Sequence, residues 1–176
     1  MSVLQVSEVH VRAQSIIDHL ITTNHDVFIG TPCGILGPLF REIEDRDANL
    51  IYAPREDTAI SVACGMAMRG KKSVVLMQNS GFAQSVNVLA SLVIPFQIPV
   101  LMIISLRGYD IDNTPENLVM GRITCDMLDD LGIPYKIAQP DSYMADLAWA
   151  RRCVEQEEQS AVLLIPPTFL GWSPNQ

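Results

Sequence analysis

Tyr52–Asn87, YAPREDTAISVACGMAMRGKKSVVLMQNSGFAQSVN, reads as a strand end, a loop, a helix, a strand, a second polar loop and the start of another helix. Its two polar clusters, Arg55-Glu56-Asp57 and Gln78-Asn79-Ser80-Gly81, each fall where an apolar run stops and a helix begins. Strand runs such as Val74–Met77 are continuously apolar rather than alternating, which is the pattern of strands covered on both faces of a parallel sheet. In open sheets of that kind ligands bind along the carboxyl ends of the strands. Glu56 is therefore the candidate chemical centre, with Gln78, Asn79 and Ser80 converging on the same floor from the next strand end. A glutamate in the first turn of a helix is also favourable simply through the helix dipole. Position alone thus leaves both a functional carboxylate and a solvated helix-start residue open.

Moving outward, the same alternation continues. Ser7 to about Asn24 is expected to be a capped helix, with Ala13, Ile16, Ile17, Leu20 and Ile21 at helical spacing. Val27-Phe28-Ile29 is a short buried strand running into the tight loop Gly30-Thr31-Pro32-Cys33-Gly34. Pro38 to about Ile43 is a helix, Glu44–Asp47 a solvated turn, and Leu50-Ile51-Tyr52 the second strand. Asp57–Arg69 is a helix rich in small residues, suited to close packing on a neighbour. Ser73–Met77 is the third strand, Gln78–Gly81 a loop, and Ala83–Leu92 a helix. Val100–Ser105 is the most apolar strand, with a polar loop to about Leu118 and a helix to Leu131. Tyr135–Ala138, Tyr143–Gln156 and Ala161–Ile165 complete the pattern as strand, helix and strand, before a proline-broken tail. About six strand–helix alternations predict one α/β domain over residues 1–176, a six-stranded parallel sheet with helices on both faces.

Composition narrows the function. The chain has 176 residues, 48% of them hydrophobic, enough for one core. A net charge of −8 without a basic helix face argues against nucleic acid and against anionic membranes. No apolar run is long enough to span a bilayer, and the first ten residues lack a signal-peptide pattern, so a cytoplasmic setting is expected. Cys33, Cys64, Cys125 and Cys153 form no C-x-x-C pair, so neither a metal site nor a disulfide framework is indicated.

Two motifs invite stronger readings. Gly65–Lys71 nearly spells a phosphate-binding loop, but Lys72 stands where Ser or Thr should meet magnesium, and the run closes a helix instead of opening one. A glycine helix stop explains it better. Cys33 could be a nucleophile, yet such a thiol needs a base, and His10, His19 and His25 all lie on or just after the first helix. A small residue lining the loop is the simpler reading, and the histidines read as solvent-facing or helix-end residues.

The residues also resemble a known family. Pro54-Arg55-Glu56, Met77-Gln78-Asn79-Ser80-Gly81, Ser85-Val86-Asn87, Ile98–Ser105, Arg107-Gly108, Met120-Gly121-Arg122 and Leu131–Tyr135 are similar to the alpha subunits of sulfopyruvate decarboxylases. They are nearly as similar to the amino-terminal half of phosphonopyruvate decarboxylases. Thr31-Pro32-Cys33 matches the first loop of the former. The resemblance runs from about Val27 to Tyr135, and MQNSG followed closely by SVN is its most specific part.

The resemblance implies a thiamine diphosphate-binding pyrimidine (PYR) domain. Glu56 would be catalytic, hydrogen-bonding a ring nitrogen of the cofactor's aminopyrimidine. A carboxyl group suits that role because it can share or give up a proton. Gln78, Asn79, Ser80 and Pro32 would border the cofactor, and Thr31, Cys33, Gln78, Asn79, Arg107 and Arg122 the substrate. Asn87 would brace the MQNSG segment. For each arginine, a bidentate anion contact and a structural salt bridge both stay open.

No Gly-Asp-Gly followed by an Asn-Asn-type segment occurs, so the diphosphate-binding (PP) half and its Mg2+ are expected on a separate beta subunit, within an even-numbered hetero-oligomer. The small-residue helix Asp57–Arg69 would supply part of that contact. The expected reaction is decarboxylation of sulfopyruvate to sulfoacetaldehyde and CO2. Family members carry His-Arg-Gly-Glu and Gly-Leu-Gly-Asn where this chain has Leu106-Arg107-Gly108-Tyr109 and Gly81-Phe82-Ala83-Gln84. Those departures suggest a more apolar pocket wall, which keeps open phosphonopyruvate, a less polar or aromatic 2-oxoacid, or ligation in place of protonation. A non-catalytic PYR-like regulatory subunit is the reading from another class.

Overall fold

The computed structural model describes residues 3–174. Its frame is a six-stranded sheet in which every pairing is parallel, in the spatial order β2-β1-β3-β4-β6-β5. The strands are β1 (Val27–Gly30), β2 (Asn49–Tyr52), β3 (Ser73–Gln78), β4 (Leu101–Ser105), β5 (Tyr135–Ile137) and β6 (Ala161–Ile165). The helices between them are α1 (Val3–Thr22), α2 (Gly37–Asp45), α3 (Glu56–Met68), α4 (Asn79–Gln84), α5 (Val86–Val88), α6 (Pro115–Asp130) and α7 (Tyr143–Gln156).

Successive strand side chains point to opposite faces, and because both faces are covered, both sets are apolar. Phe28, Val74, Leu76, Leu101, Ile103 and Leu163 join one core with Ile16 and Leu20 of α1, Leu39 of α2 and Leu147 of α7. Ile29, Val75, Met77, Met102, Ile104 and Leu164 join the other with Ile60 of α3, Phe82 of α4 and Leu128 of α6. That is why β3, β4 and β6 read as unbroken apolar runs.

The outer strand β2 departs from this pattern. Ile51 and Tyr52 are 39% and 51% exposed, because β2 borders only β1. Tyr52 instead stacks on Phe40 of α2 at 6.0 Å and gives its hydroxyl to Glu44. The strand order also separates two ends that sequence had made neighbours, since β1 lies between β2 and β3.

Several boundaries differ from the sequence expectation. α1 begins at Val3, so Ser7 lies inside it and cannot cap it. Glu44 and Asp45 finish α2 instead of forming a turn. Gln78 is the last residue of β3 and Asn79 the first of α4, so no loop intervenes. The helix expected from Ala83 is broken at Ser85. There the hydroxyl donates back to the Gly81 carbonyl at 2.8 Å, a bond that bends helices, and a π turn follows at Leu89–Val93. The tail forms a short 3-10 turn, Pro167–Leu170, ending at Gly171 with φ 74°. His25 sits just past the end of α1, as one of its two readings expected, but it is fully buried, at the amino edge of the sheet, rather than solvent-facing. Among the described residues, no helix is long and apolar enough to cross a membrane.

Candidate active site

The carboxyl edge of the sheet brings together the start of α3, the loop after β1, the β3–α4 junction, the segment after β4 and the tail after β6. Glu56 is the first residue of α3, one position nearer the strand than sequence periodicity indicated. Its side chain turns inward, and the residue is only 8% exposed. Its carboxylate accepts no hydrogen bond and joins no ion pair among the described residues, because Arg55 beside it is held by Asp57 at 2.9 Å. Neither carboxylate oxygen is sealed from solvent, so both stay open to a donor from outside the chain. That makes it a group poised for an external donor.

What Glu56 touches is Gly81. A Cβ at Gly81 would lie 2.1 Å from the Glu56 Cδ and 2.3 Å from Oε1. The turn that begins α4 therefore meets the turn that begins α3 across the end of β1, and only a hydrogen at this position leaves room for the carboxyl group.

The other expected residues divide. Thr31 donates its hydroxyl to the Ala53 carbonyl at 3.2 Å, which ties the first loop to the approach to Glu56, and Pro32 beside it is exposed. Gln78 and Ser80 are half-buried, with side chains that make no hydrogen bond among the described residues. Asn79 is different. It is fully buried; its amide nitrogen donates to the Arg107 carbonyl at 2.9 Å and to Thr124 Oγ1 at 3.0 Å, while its Oδ1 accepts from the Arg107 N–H. It brackets β3, the segment after β4 and α6, and presents nothing to the cleft. Asn87 is exposed and does not brace the MQNSG segment; Ser85 and Asn79 do.

Cys33 sits 3.3 Å from Ser105 Oγ. Burial pushes its thiol above the ordinary range, and the hydroxyl of Ser105, nearby backbone N–H groups and Arg107 oppose that only in part. His10 is paired with Glu42, His25 is buried at the amino edge, and no histidine contacts Cys33 among the described residues, so the nucleophile reading loses its base. Arg107 makes the salt bridge expected as one of its alternatives, Nε to Asp112 at 2.7 Å. Arg122 is exposed on α6 and has no ion-pair partner among the described residues. Of Phe82 and Tyr109, taken from sequence as making the pocket wall more apolar, Phe82 is fully buried in the core between the sheet and α3–α6, as is Leu106, while Tyr109 reaches the surface at 41% exposure. The four cysteines are free thiols. Among the described residues no cluster of three or more His, Cys, Asp or Glu side chains could hold a metal ion.

Sequence reasoning missed three residues here. Gly81 was quoted only as part of a motif, and Asp112 and Trp172 were not singled out. Asp112 is almost fully buried and gathers Arg107, Gly108 N–H, Thr114 and Asn117. Trp172 lies under the Arg107 guanidinium, 4.8 Å from its ring centre.

Comparison with known proteins places this geometry in context. The chain is 41% identical over 130 residues to the sulfopyruvate decarboxylase subunit alpha of Methanocaldococcus jannaschii, spanning 72% of this chain and 76% of that one. It is 29% identical over 149 residues to the phosphonopyruvate decarboxylase of Streptomyces hygroscopicus, covering 82% of this chain but only 37% of that longer one. No protein-family profile matches the chain. Among solved structures, it superposes on 2-oxoglutarate:ferredoxin oxidoreductase from Magnetococcus marinus with a TM-score of 0.69 and on benzoylformate decarboxylase from Polynucleobacter necessarius with 0.63. Both are 14% identical; 90% and 92% of this chain is covered, but only 29% and 31% of theirs, so the likeness is one of fold.

Proposed function

The chain belongs to the family of sulfopyruvate decarboxylase alpha subunits, and we propose that it contributes the Glu56 half of a thiamine diphosphate site at which sulfopyruvate loses CO2 to give sulfoacetaldehyde. The observation that carries this reading is the Glu56 carboxylate: nearly buried, at the carboxyl edge, packed on Gly81 and without a partner of its own. The aminopyrimidine of thiamine diphosphate is the kind of donor such a group lacks, so the residues fit the cofactor.

When bound, the cofactor supplies an electron sink for the carbanion that forms as CO2 leaves. The chain's own residues have simpler tasks. Glu56 shares or gives up a proton at its carboxylate oxygen, and Gly81 fixes where that oxygen stands. Pro32, Gln78 and Ser80 border the cofactor, and Thr31 and Cys33 line the substrate side with Gln78 and Arg107. Asn79 serves this site indirectly, by holding Arg107. Arg122 is free to meet an anion from the substrate or from a partner.

The relatives' names speak of an alpha subunit, and among the described residues no cluster of His, Cys, Asp or Glu could hold the Mg2+. A beta subunit bearing that PP domain completes the site, within an oligomer that pairs copies of both chains. The exposed face of α3, with Thr58, Ser61, Val62, Gly65 and Met68, is small and largely uncharged and suits a close interface. Phosphonopyruvate is the second reading, favoured by the Streptomyces relative and by the shared chemistry of a 2-oxoacid with a tetrahedral oxyanion at its far end. An apolar or aromatic 2-oxoacid is less favoured, because Phe82 faces the core and, of Phe82 and Tyr109, only Tyr109 is exposed.

The test is reconstitution. The chain co-purified with its beta subunit, with thiamine diphosphate and Mg2+, should release CO2 from sulfopyruvate, and the chain alone should neither do so nor bind the cofactor tightly. Turnover or tight cofactor binding by the lone chain, or an inert complex, contradicts the proposal.

A further inference from the structure

Arg107 is a charged group at this edge whose orientation is fixed on three sides. Its backbone N–H and carbonyl are both bonded by the Asn79 amide. Its Nε donates to Asp112 at 2.7 Å, and its guanidinium face lies on the Trp172 ring at 4.8 Å. Burial alone would raise the Asp112 carboxyl, but hydrogen bonds from Thr114, Gly108 and Arg107 outweigh it and hold the group at about 2, so the anchor stays charged. Gly108, with φ 75°, packs its backbone directly on Asn117 and Gly121, where any side chain would collide, and this pins the segment after Arg107 to α6.

The remaining edge of the guanidinium, its two Nη groups, has no partner among the described residues. A planar fork with one edge and one face occupied offers parallel donors to a single oxyanion, and its side-chain freedom has already been given up to the fold. The neighbours agree with that direction. Cys33 and Ser105 lie beside it, and Trp172 also lies over the first loop, within 3.7 Å of where a side chain at Gly34 would begin.

We propose that Trp172 and Asp112 are positioning residues that aim Arg107 at the distal anionic group of the substrate, a sulfonate or phosphonate carried by a 2-oxoacid. The tail after β6 thereby determines specificity for a second negative charge. The inference rests on the decarboxylase reading for its substrate class, but its test does not depend on turnover.

That test is calorimetric titration of the assembled complex with 3-sulfopropanoate, a non-reacting compound with the two anionic ends of the substrate. Trp172→Ala should weaken binding about tenfold or more, and Trp172→Phe, which keeps a flat ring, should recover most of it. Arg107→Lys should weaken binding at least as much, and Trp172→Ala added to Arg107→Lys should cost little further, because the ring acts through the guanidinium. Unchanged affinity in Trp172→Ala, full additivity of the two substitutions, or failure of the unmodified complex to bind the compound would overturn the proposal. Absence of CO2 release with binding intact would instead count against the decarboxylase reading.

Discussion

Gly81 and Glu56 share one small space: a methyl group on the glycine would begin 2.1 Å from the carboxyl carbon of the glutamate. The colliding atoms are the far end of a flexible side chain, so the fold can accommodate the methyl by displacing the carboxylate. Gly81→Ala is therefore expected to leave the melting temperature nearly unchanged while kcat of the reconstituted complex falls about 100-fold, the typical effect of a misplacement near 1 Å. Thermal unfolding and initial rates, measured on one preparation, check this. Normal turnover would show that Glu56 need not stand where it does.

Asn79 predicts the opposite balance. Its amide satisfies both backbone groups of Arg107 and the Thr124 hydroxyl inside the protein. Asn79→Ala leaves the Arg107 N–H and carbonyl without that partner, while the Thr124 hydroxyl keeps its bond to the Met120 carbonyl, a loss of about 2–4 kcal/mol of stability. Urea unfolding of the isolated chain measures it. A cost under about 0.5 kcal/mol would mean that the bracket is dispensable.

His25 makes stability depend on pH. Burial lowers its pKa from 6.5 to about 4, with Glu155 at 3.9 Å opposing only in part. Above pH 6.5 both folded and unfolded chains hold it neutral, and its effect is nil. Between 6.5 and about 4 the unfolded chain takes up a proton that the folded chain refuses, so stability falls as pH drops, by up to about 1.4 kcal/mol per pH unit. Denaturant melts at pH 7, 6 and 5 should show that decline, and His25→Gln should flatten it.

The exposed face of α3 can be tested without touching the site. A side chain at Gly65 would meet nothing within 4 Å in the chain itself. Gly65→Arg should therefore fold as stably as the unmodified chain yet fail to assemble with the beta subunit on size-exclusion chromatography. Normal assembly would move the interface elsewhere.

Much of this was legible in the sequence. The resemblance singled out Glu56, which position alone left open, and the continuous apolar runs of β3, β4 and β6 follow from burial on both faces. Strand order was not legible, because hydrophobic pattern says nothing about which strand lies beside which; β1 between β2 and β3 is a tertiary fact. Asn79 misled for a physical reason, since a polar residue at a strand end looks the same whether it faces a cleft or ties backbone inside the protein. Phe82 misled similarly, because a large apolar side chain can line a pocket or fill a core. Trp172 was hidden in a proline-broken tail with no periodicity to assign it a face, and Asp112 in a loop where only the folded chain reveals how many donors it collects.

The account stands or falls on the Glu56 carboxylate. In the reconstituted complex, Glu56→Gln preserves shape and removes the group that can share or give up a proton. The measurement is kcat for CO2 release from sulfopyruvate, with the oligomer verified intact. A fall of about 100-fold to 10,000-fold is predicted; a rate within about twofold of the unmodified complex would contradict the assignment and favour a non-catalytic, regulatory role for the chain.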